Sequence, residues 1–398
     1  MKILVIPELD WIAALQNRVH KIFRRLAKNH EIHAIYFEHE KRGINKAFRL
    51  KSGIILHKPP SFYMKNMLSF YIFNIFPIYS YLNKIIQKYK IDIIVTTNFL
   101  FAPFAIRAAK KNSIPIVFDL VDFQPYHINY ITFIPSILKR IGNSLLTTLL
   151  NYDIDHANHV ITTGQPLSHY VRQRTNNKIT LISNGVNDQL FNCAKDYSII
   201  QKKFRKLAPI ICFIGALEYW VDYPYLFQSI SLLLKEFPSL HCLLIGPSRH
   251  FKLKKIQQVA ANYKILEHVI FTGRIPYYQL YSYICASDVC ILPFVKNYLT
   301  HCIIPMKLFE YLACDRPVIS VNLAGIRSVA KDAVFYADTP VQLRDTIRLI
   351  LTNVAEANAK IAIGKALVKK YSWTTIANQY EQVLQQVCWE HINTNQDE

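Results

Sequence analysis

Short apolar runs rich in isoleucine and valine alternate along this chain with longer amphipathic stretches. The runs are continuously apolar, which is typical of strands that are buried on both faces of a helix-covered parallel sheet. Most gaps between runs have room for the crossover helix that parallel strands require. The predicted strands cover residues 2–7, 32–37, 91–97, 114–120, 159–164 and 178–185 in the first half, and 209–215, 241–246, 268–273, 288–294 and 316–321 in the second.

The two series of strands predict an α/β protein with two doubly wound, Rossmann-like domains that face each other across a cleft. A polar stretch with a basic cluster separates the series, and the cluster consists of Lys202, Lys203, Arg205 and Lys206. We therefore predict an N-terminal domain over 1–190, a second domain over 191–370 and a terminal helix over 371–398 that packs back on the first domain.

The composition narrows the class of protein. Of the 398 residues, 51% are hydrophobic and 19% are charged, which excludes disordered and fibrous chains. The 47 Lys and Arg against 27 Asp and Glu give a net charge of +20, which calls for nucleic acid, acidic lipid headgroups or a phosphorylated substrate as partner. Ten basic residues and no acidic one lie between Lys41 and Ile91, so the N-terminal domain should carry the anion-binding face.

The cysteines and the N-terminus bear on the cellular compartment. The 8 cysteines are scattered without the spacing of a zinc site, as expected for reduced core residues of a cytoplasmic protein. The first residues, MKILVIPELD, resemble a buried strand more than the apolar region of a signal peptide. We expect a cytoplasmic protein without a metal or other cofactor, and leave open a peripheral position on the inner face of the cell membrane.

The longest uncharged run covers residues 66–83 and has three interpretations. It approaches the length of a membrane-spanning helix, but Asn74 and Pro77 interrupt it and its aromatic residues are spread along it. A helix in the core and an interfacial segment on a membrane remain the alternatives. With the basic residues between 41 and 91, the interfacial reading predicts attachment to an anionic membrane surface.

The most informative segment is 304–320, IPMKLFEYLACDRPVIS. Pro305 suits the first turn of a helix that should run to about Cys314. Lys307 and Glu310 are three residues apart and share a face of that helix. A cation at a helix N-terminus suits a diphosphate, and a carboxylate one turn further suits a ribose diol. The segment therefore predicts a nucleotide-sugar site, with an ordinary surface Lys–Glu pair as the alternative.

This segment, with residues 271–294, 213–227 and 179–191, resembles the family 4 (group 1) retaining glycosyltransferases of GT-B fold, most clearly over about 155–385. The resemblance implies that Glu310 binds the nucleotide ribose and that Lys307 contacts the diphosphate. It also implies that the backbone at Arg274 and Ile275 lies beside the base. Two further residues complete the predicted donor site: Met306 at the start of the helix and Gly215 after a strand.

The sequence departs from the family pattern at several positions. The first glutamate of the family's pair, separated from Glu310 by seven residues, is replaced by Cys302. A basic pair common after the first glycine of the second domain is replaced by Ala216 and Val221, and a usual glycine by Asp315. These departures leave open a second interpretation, a membrane-associated scaffold with weakened catalysis.

We expect the N-terminal domain to supply the catalytic residues and to bind the acceptor. Asp122 is the first candidate for a carboxylate that orients or deprotonates the acceptor, and Asp119 is the second; a helix cap or loop turn is the alternative for both. His127 is a candidate to assist this carboxylate, with a solvated loop histidine as the alternative. By the resemblance, Trp11 and Arg18 fall in the acceptor loop, where Arg18 would bind an acceptor phosphate.

One motif suggests a metal site and does not support one. Asp153 and Asp155 have the DxD spacing of a metal-dependent glycosyltransferase fold, but they precede a strand at the end of a helical stretch. We therefore expect no metal.

The sequence thus predicts a hexosyltransferase that uses a UDP-linked sugar and a glycan or lipid-linked acceptor in cell-surface polysaccharide synthesis. The rival from another class, a nucleic-acid-binding protein, would need a recognition motif, and the sequence contains none.

Overall fold

A computed structural model describes residues 1–8, 11–12, 17–37, 48–62, 67–130, 134–187, 200, 207–248 and 253–394 of the chain. The chain divides into two compact units, the first made of Met1–Ser183 with Trp373–Glu398 and the second of Asn184–Ser372. The sequence predicts that the first domain ends at residue 190 and the second at residue 370, which lie within seven residues of these unit boundaries. The basic cluster predicted at the boundary lies outside the described residues.

The described part of the first unit holds an eight-stranded sheet in the order β3-β4-β2-β1-β5-β6-β7-β8. All pairs are parallel except β3 with β4. The strands are β1 (Lys2–Ile6), β2 (Glu31–Ile35), β3 (Phe48–Arg49), β4 (Ile55–His57), β5 (Ile93–Thr96), β6 (Ile116–Leu120), β7 (His159–Thr162) and β8 (Lys178–Leu181).

Helices cover both faces of this sheet. They are α1 (Arg18–Leu26), α2 (Met67–Tyr89), α3 (Ala102–Lys111), α4 (Ser136–His156) and α5 (Gln165–Arg172), with a 3₁₀ turn over Gln124–Tyr130. The terminal helix, Trp373–Thr394, belongs to this unit because it packs on α1. Tyr380 on that helix is fully buried. The neighbouring Glu381 accepts a hydrogen bond from the ring of His30 at 2.5 Å.

The second unit contains, in its described part, a six-stranded parallel sheet in the order β11-β10-β9-β12-β13-β14. The strands are β9 (Ile210–Ile214), β10 (His241–Ile245), β11 (Val269–Gly273), β12 (Val289–Leu292), β13 (Val318–Ser320) and β14 (Phe335–Tyr336). The helices are α6 (Tyr223–Leu233), α7 (Leu253–Asn262), α8 (Tyr277–Cys285), α9 (Tyr298–Cys302), α10 (Met306–Ala313), α11 (Ala324–Ala330), α12 (Pro340–Thr352) and α13 (Val354–Val368); the terminal helix is α14.

The uncharged run lies largely in α2, which is amphipathic. Phe70, Asn74 and Ile78 are buried, whereas Phe73 and Phe76 are exposed. Asn74 is satisfied in the interior because its side-chain amide donates to the carbonyls of Phe62 (3.0 Å) and Phe70 (2.8 Å). Among the described residues, no helix combines the length and the apolar character that crossing a membrane requires.

Candidate active site

The turns after the first strands of the second sheet bring backbone and side chains close together. Gly215 follows β9 with a φ of +135°, and Gly246 follows β10 with a φ of +144°. A β-carbon on Gly246 would lie 1.9 Å from the carbonyl oxygen of Gly215, and one on Gly215 would lie 2.3 Å from Nζ of Lys307. At Gly246 the clash is with backbone, so the turn requires glycine; at Gly215 the end of the lysine side chain occupies the space that a β-carbon would need.

Lys307 is the second residue of α10, in the turn that begins after Pro305. Its Nζ atom is 4.2 Å from the ring centroid of Phe213 and 5.2 Å from that of Phe294, within the range of a cation–π contact. Burial lowers the pKa of Lys307 to about 7, and the charge of Glu310 opposes that shift. The amine has thus lost much of its water at a helix N-terminus, and it carries its positive charge mainly below about pH 7.

Glu310 lies one turn further along α10 and is 7% exposed. Its Oε1 atom accepts a hydrogen bond from the hydroxyl of Tyr277 at 3.0 Å. Burial and the Glu310 charge raise the pKa of that tyrosine, so it remains a donor. Tyr277 begins α8 and was not singled out from the sequence, since nothing in the sequence pairs it with Glu310 across 33 residues.

The other predicted donor residues lie in the same unit. Arg274 and Ile275 follow β11; the arginine side chain is exposed, and the isoleucine packs partly against the core. Met306 is half-buried at the start of α10. The structure therefore brings Lys307 and Gly215 into direct proximity and places Arg274 at the same, carboxyl-end edge of the sheet.

The departures from the family pattern have structural consequences. Cys302 ends α9 and is 1% exposed. Val221 is also buried and forms an isolated antiparallel bridge with Phe294, so a core side chain stands where the family resemblance led us to expect a basic residue. Asp315 has a φ of +52°, the left-handed conformation that its usual glycine would adopt, and its carboxylate binds Lys365 at 2.7 Å.

In the first unit, Asp119 and Arg18 form a buried ion pair. Arg18 Nε lies 3.0 Å from Asp119 Oδ2, and the two side chains are 3% and 1% exposed. Arg18 also donates to the carbonyl of Ser183 at 2.6 Å, and the Tyr380 hydroxyl donates to Asp119 at 3.2 Å. Asp119 lies inside β6, within the predicted strand 114–120. A direct contact of Arg18 or Asp119 with an acceptor would require this pair to open.

Asp122 follows β6 and is 29% exposed, with Oδ2 4.0 Å from Nε2 of His127. Burial raises the pKa of Asp122, and His127 opposes the shift. Glu8, two residues after the end of β1, has its pKa raised to about 8 by burial and by the charge of Asp122. Gln124 joins the two segments because its side-chain amide donates to Glu8 Oε2 at 2.7 Å.

Glu8 and Gln124 were not predicted as site residues, although the sequence contains one indication for Glu8. Glu8 lies two residues after the end of β1, just as Asp122 lies two residues after the end of β6, and only β5 separates these strands. Trp11 is 3% exposed and packs against His20, whose Nε2 atom lies 2.8 Å from the Trp11 carbonyl oxygen. Residues 13–16 of the predicted acceptor loop lie outside the described residues.

The DxD triplet lies on α4. Asp153 is fully buried and burial raises its pKa to about 9, whereas Asp155 is exposed. The two carboxylates therefore face different surroundings and do not converge on one ion. In the part of the chain that the structure describes, no three His, Cys, Asp or Glu side chains are grouped to hold a metal.

Comparisons with known proteins identify the family. A family model described as Glycosyltransferase Family 4 matches residues 15–190, and one described as Glycosyl transferases group 1 matches residues 208–353. The chain is 27% identical over 161 residues to a protein of Bacillus subtilis (strain 168) named as a teichuronic acid biosynthesis glycosyltransferase, TuaH. That alignment spans 40% of this chain and 38% of the relative.

Solved structures share the fold over nearly the whole chain. Sucrose-phosphate synthase (tll1590) from Thermosynechococcus elongatus matches with a TM-score of 0.80 at 16% identity, covering 97% of this chain and 98% of that one. Anabaena Alr3699/HepE in complex with UDP and glucose matches with a TM-score of 0.75 at 15% identity, covering 97% and 100%. The predicted α/β class, GT-B fold and glycosyltransferase activity are confirmed. The chain belongs to the family 4 (group 1) glycosyltransferases of GT-B fold.

Proposed function

We propose that this glycosyltransferase moves a hexose, with retention of configuration, from a UDP-linked sugar to a glycan or lipid-linked acceptor in cell-surface polysaccharide synthesis. The observation that carries the proposal is the joint placement of Lys307 and Glu310 on the first two turns of α10, with the amine against the turn at Gly215.

The chemistry of a nucleoside diphosphate suits these groups. The Lys307 amine and the N–H groups at the start of α10 would bind diphosphate oxygens, since both favour anions. Glu310 would accept hydrogen bonds from the ribose diol while Tyr277 holds its other side. The backbone at Arg274 and Ile275 would lie beside the base, and Met306 would flank the diphosphate. The related structure of Alr3699/HepE holds UDP and glucose, which supports the choice of donor.

The same residues would stabilise the leaving group. Breaking the bond between the sugar and the diphosphate places negative charge on phosphate oxygens, which Lys307 and the α10 N-terminus would stabilise without a metal ion. The acceptor hydroxyl must lose its proton as it attacks. We assign that proton to the departing phosphate or to Asp122, with His127 beside the carboxylate. Three buried residues of the first unit would hold the acceptor-binding segments in place: Arg18, Asp119 and Trp11.

The acceptor class rests on the relative named for teichuronic acid biosynthesis and on the charge of the chain. A lipid-linked glycan would place the enzyme in the cytoplasm, at the inner face of the membrane, where its basic first unit meets acidic headgroups. No nucleic-acid partner is part of this proposal.

Donor binding tests the proposal directly. A thermal-shift screen with UDP-, GDP- and ADP-glucose should show the largest rise in Tm with the UDP sugar, because a ligand that binds only the folded state stabilises it. Titration calorimetry with UDP should then show about tenfold to a hundredfold weaker binding for Lys307→Ala and for Glu310→Ala. Lys369→Ala and Glu356→Ala, exposed residues of the same unit, are the matched controls. Unchanged affinity in both site variants would remove this site from consideration.

The alternative is a scaffold that has lost catalysis, and the buried Cys302 and Val221 favour it. Both proposals allow UDP to bind, so turnover separates them. Purified protein that releases UDP from a UDP sugar, with Lys307→Ala inactive, supports the enzyme. Binding without any release or transfer across a panel of acceptors would support the scaffold.

A further inference from the structure

Helices α2, α3 and α4 form one layer on the sheet of the first unit. They connect β4 to β5, β5 to β6 and β6 to β7, steps that all run in one direction across the sheet. Since such crossovers are right-handed, the three helices lie on the same face. In agreement, α3 packs on both α2 and α4, and Asn112 after α3 donates to Asn83 of α2 at 2.8 Å.

The outer side of α4 carries an apolar stripe. The exposed fractions are 69% for Ile137, 53% for Leu138, 53% for Ile141, 66% for Leu145 and 40% for Tyr152. At 3.6 residues per turn these positions fall on one side of the helix, over about 22 Å of its length. Thr148 lies within the stripe, but its hydroxyl donates to the Ser144 carbonyl at 3.1 Å and is satisfied inside the helix.

A second apolar group lies at the start of α2. Phe73 is 61% exposed and Phe76 is 80% exposed, and Phe62, which binds Asn74 through its backbone, is 63% exposed. Both helices run antiparallel to the strands, so α2 and α4 begin at the same edge of the sheet. The two apolar groups therefore lie on the helices on either side of α3; the α2 group lies near the edge where both helices begin, and the α4 stripe extends from that edge along most of its helix.

The same layer is strongly basic. Its exposed basic side chains are Lys84 and Lys88 on α2, Arg107, Lys110 and Lys111 on α3, and Arg140 on α4. The three helices contain two acidic residues: Asp153, which is buried, and Asp155, which is exposed. We call the apolar and basic residues named in these paragraphs the α2–α4 face.

We propose that the α2–α4 face docks on an anionic lipid bilayer, with the apolar side chains of α4 and α2 in the headgroup layer and the basic side chains on acidic headgroups. Charge decides between this occupant and a second copy of the chain. Two copies that met through this face would bring their basic residues together, whereas an anionic bilayer complements them. The proposal deepens the function proposed above, since it names the surface that would bring a lipid-linked acceptor to the first unit.

Vesicle co-sedimentation tests the docking without using catalysis. We compare vesicles of phosphatidylcholine alone with vesicles of phosphatidylcholine and phosphatidylglycerol in equal parts, at low and high salt. The apolar variant carries Ile137→Ser, Ile141→Ser and Leu145→Ser. The charge variant carries Lys84→Gln, Lys88→Gln and Arg140→Gln. The matched control replaces three exposed apolar residues of the second unit by serine: Val341, Val354 and Ile363, which are 49%, 63% and 47% exposed.

The wild-type protein should bind the anionic vesicles and lose that binding at high salt. Both test variants should bind at least about tenfold more weakly, and the control should bind as the wild type does. The rise in Tm with UDP should be equal in all four proteins, which shows that the variants fold and separates this proposal from the donor site.

Absence of wild-type binding to anionic vesicles would overturn the proposal. So would an apolar variant that binds like the wild type, or one that changes a dimer into a monomer in sedimentation velocity without affecting vesicle binding. The charge variant gives an independent decision if the apolar variant does not fold. Vesicle binding by a protein that shows no response to UDP would leave this proposal standing and refute the proposed donor.

Discussion

The amine of Lys307 occupies the space in which a β-carbon on Gly215 would lie, 2.3 Å from Nζ. The two residues are 92 positions apart in the sequence, yet the turn after β9 and the first turn of α10 meet at the edge of the second sheet. The glycine therefore determines where the proposed diphosphate-binding cation can lie. Substitutions at this turn should act on donor binding through Lys307.

We expect Gly215→Ala to weaken UDP binding by at least about tenfold, because the new methyl group displaces Lys307 Nζ. The positive φ should also cost about 1–3 kcal/mol of the unfolding free energy. Gly53→Ala is the matched control, since Gly53 has a φ of +88° in the first unit and a β-carbon there meets nothing closer than 3.8 Å. Calorimetry and chemical denaturation measure the two effects. Equal UDP affinity in both variants would contradict the link to Lys307.

UDP binding should depend on pH through Lys307, whose pKa in the free protein is lowered to about 7 by burial. Above that pH the amine is largely neutral, and binding a diphosphate requires it to take up a proton. UDP affinity should therefore fall by up to about tenfold per pH unit above neutrality, where the pyrophosphate itself is already fully ionised. Calorimetry in buffers of different ionisation enthalpy measures the proton uptake. Lys307→Arg, which stays charged, should bind UDP without this pH dependence.

Asp122→Asn should keep UDP binding and reduce transfer by roughly a hundredfold or more, as expected for a lost proton acceptor. The measurements are UDP calorimetry and a transfer assay with the donor that the thermal-shift screen selects. A variant that transfers at the wild-type rate would assign the acceptor proton to the donor phosphate.

Asp119→Asn should act mainly on stability. It leaves Arg18 buried without its charge partner, which typically costs about 3–5 kcal/mol of unfolding free energy. The double variant Arg18→Met, Asp119→Leu should lose less than the sum of its single variants, because it leaves no buried charge. Chemical denaturation measures these four variants and the wild type. If Asp119→Asn is as stable as the wild type but transfers slowly, the catalytic assignment moves from Asp122 to Asp119.

Acid should destabilise the first unit through a buried histidine pair. His33 Nδ1 lies 2.7 Å from His57 Nε2, with Glu31 on the other side of His33 and Tyr89 against both rings. Burial, His33 and Lys88 lower the pKa of His57 to about 4. The unfolded chain takes up a proton near its ordinary pKa of about 6.5 and the folded chain does not, so stability should fall by about 3 kcal/mol between these pH values.

The comparison with His57→Gln isolates this effect, because Asp153 has a raised pKa and contributes with the opposite sign. The wild type should lose more unfolding free energy than the variant between pH 6.5 and 4. Parallel curves for the two proteins would show that the pair does not control acid stability.

The apolar runs were sufficient to predict the central strands and the two-unit organisation, since strands buried on both faces leave a continuous signal. The same reasoning missed β3, β4 and β14, which have 2, 3 and 2 residues. Such short strands form because a neighbouring strand offers backbone groups for pairing. The local sequence contains no information about which strand will be the neighbour. The spacing of residues also predicted helix α10 and its start after Pro305. It predicted as well that Lys307 and Glu310 share one face of that helix.

The sequence by itself determined the fold class, the family and which residue types are available at the donor site, because these follow from local periodicity and a contiguous motif. Only the tertiary structure decided which distant side chains meet. Arg18 and Asp119 pair across 101 positions, and Tyr277 reaches Glu310 across 33, because the order of strands in the sheet and the packing of helices bring them together. The exposed stripe on α4 was decided in the same way, since packing on the sheet leaves one side of that helix outside.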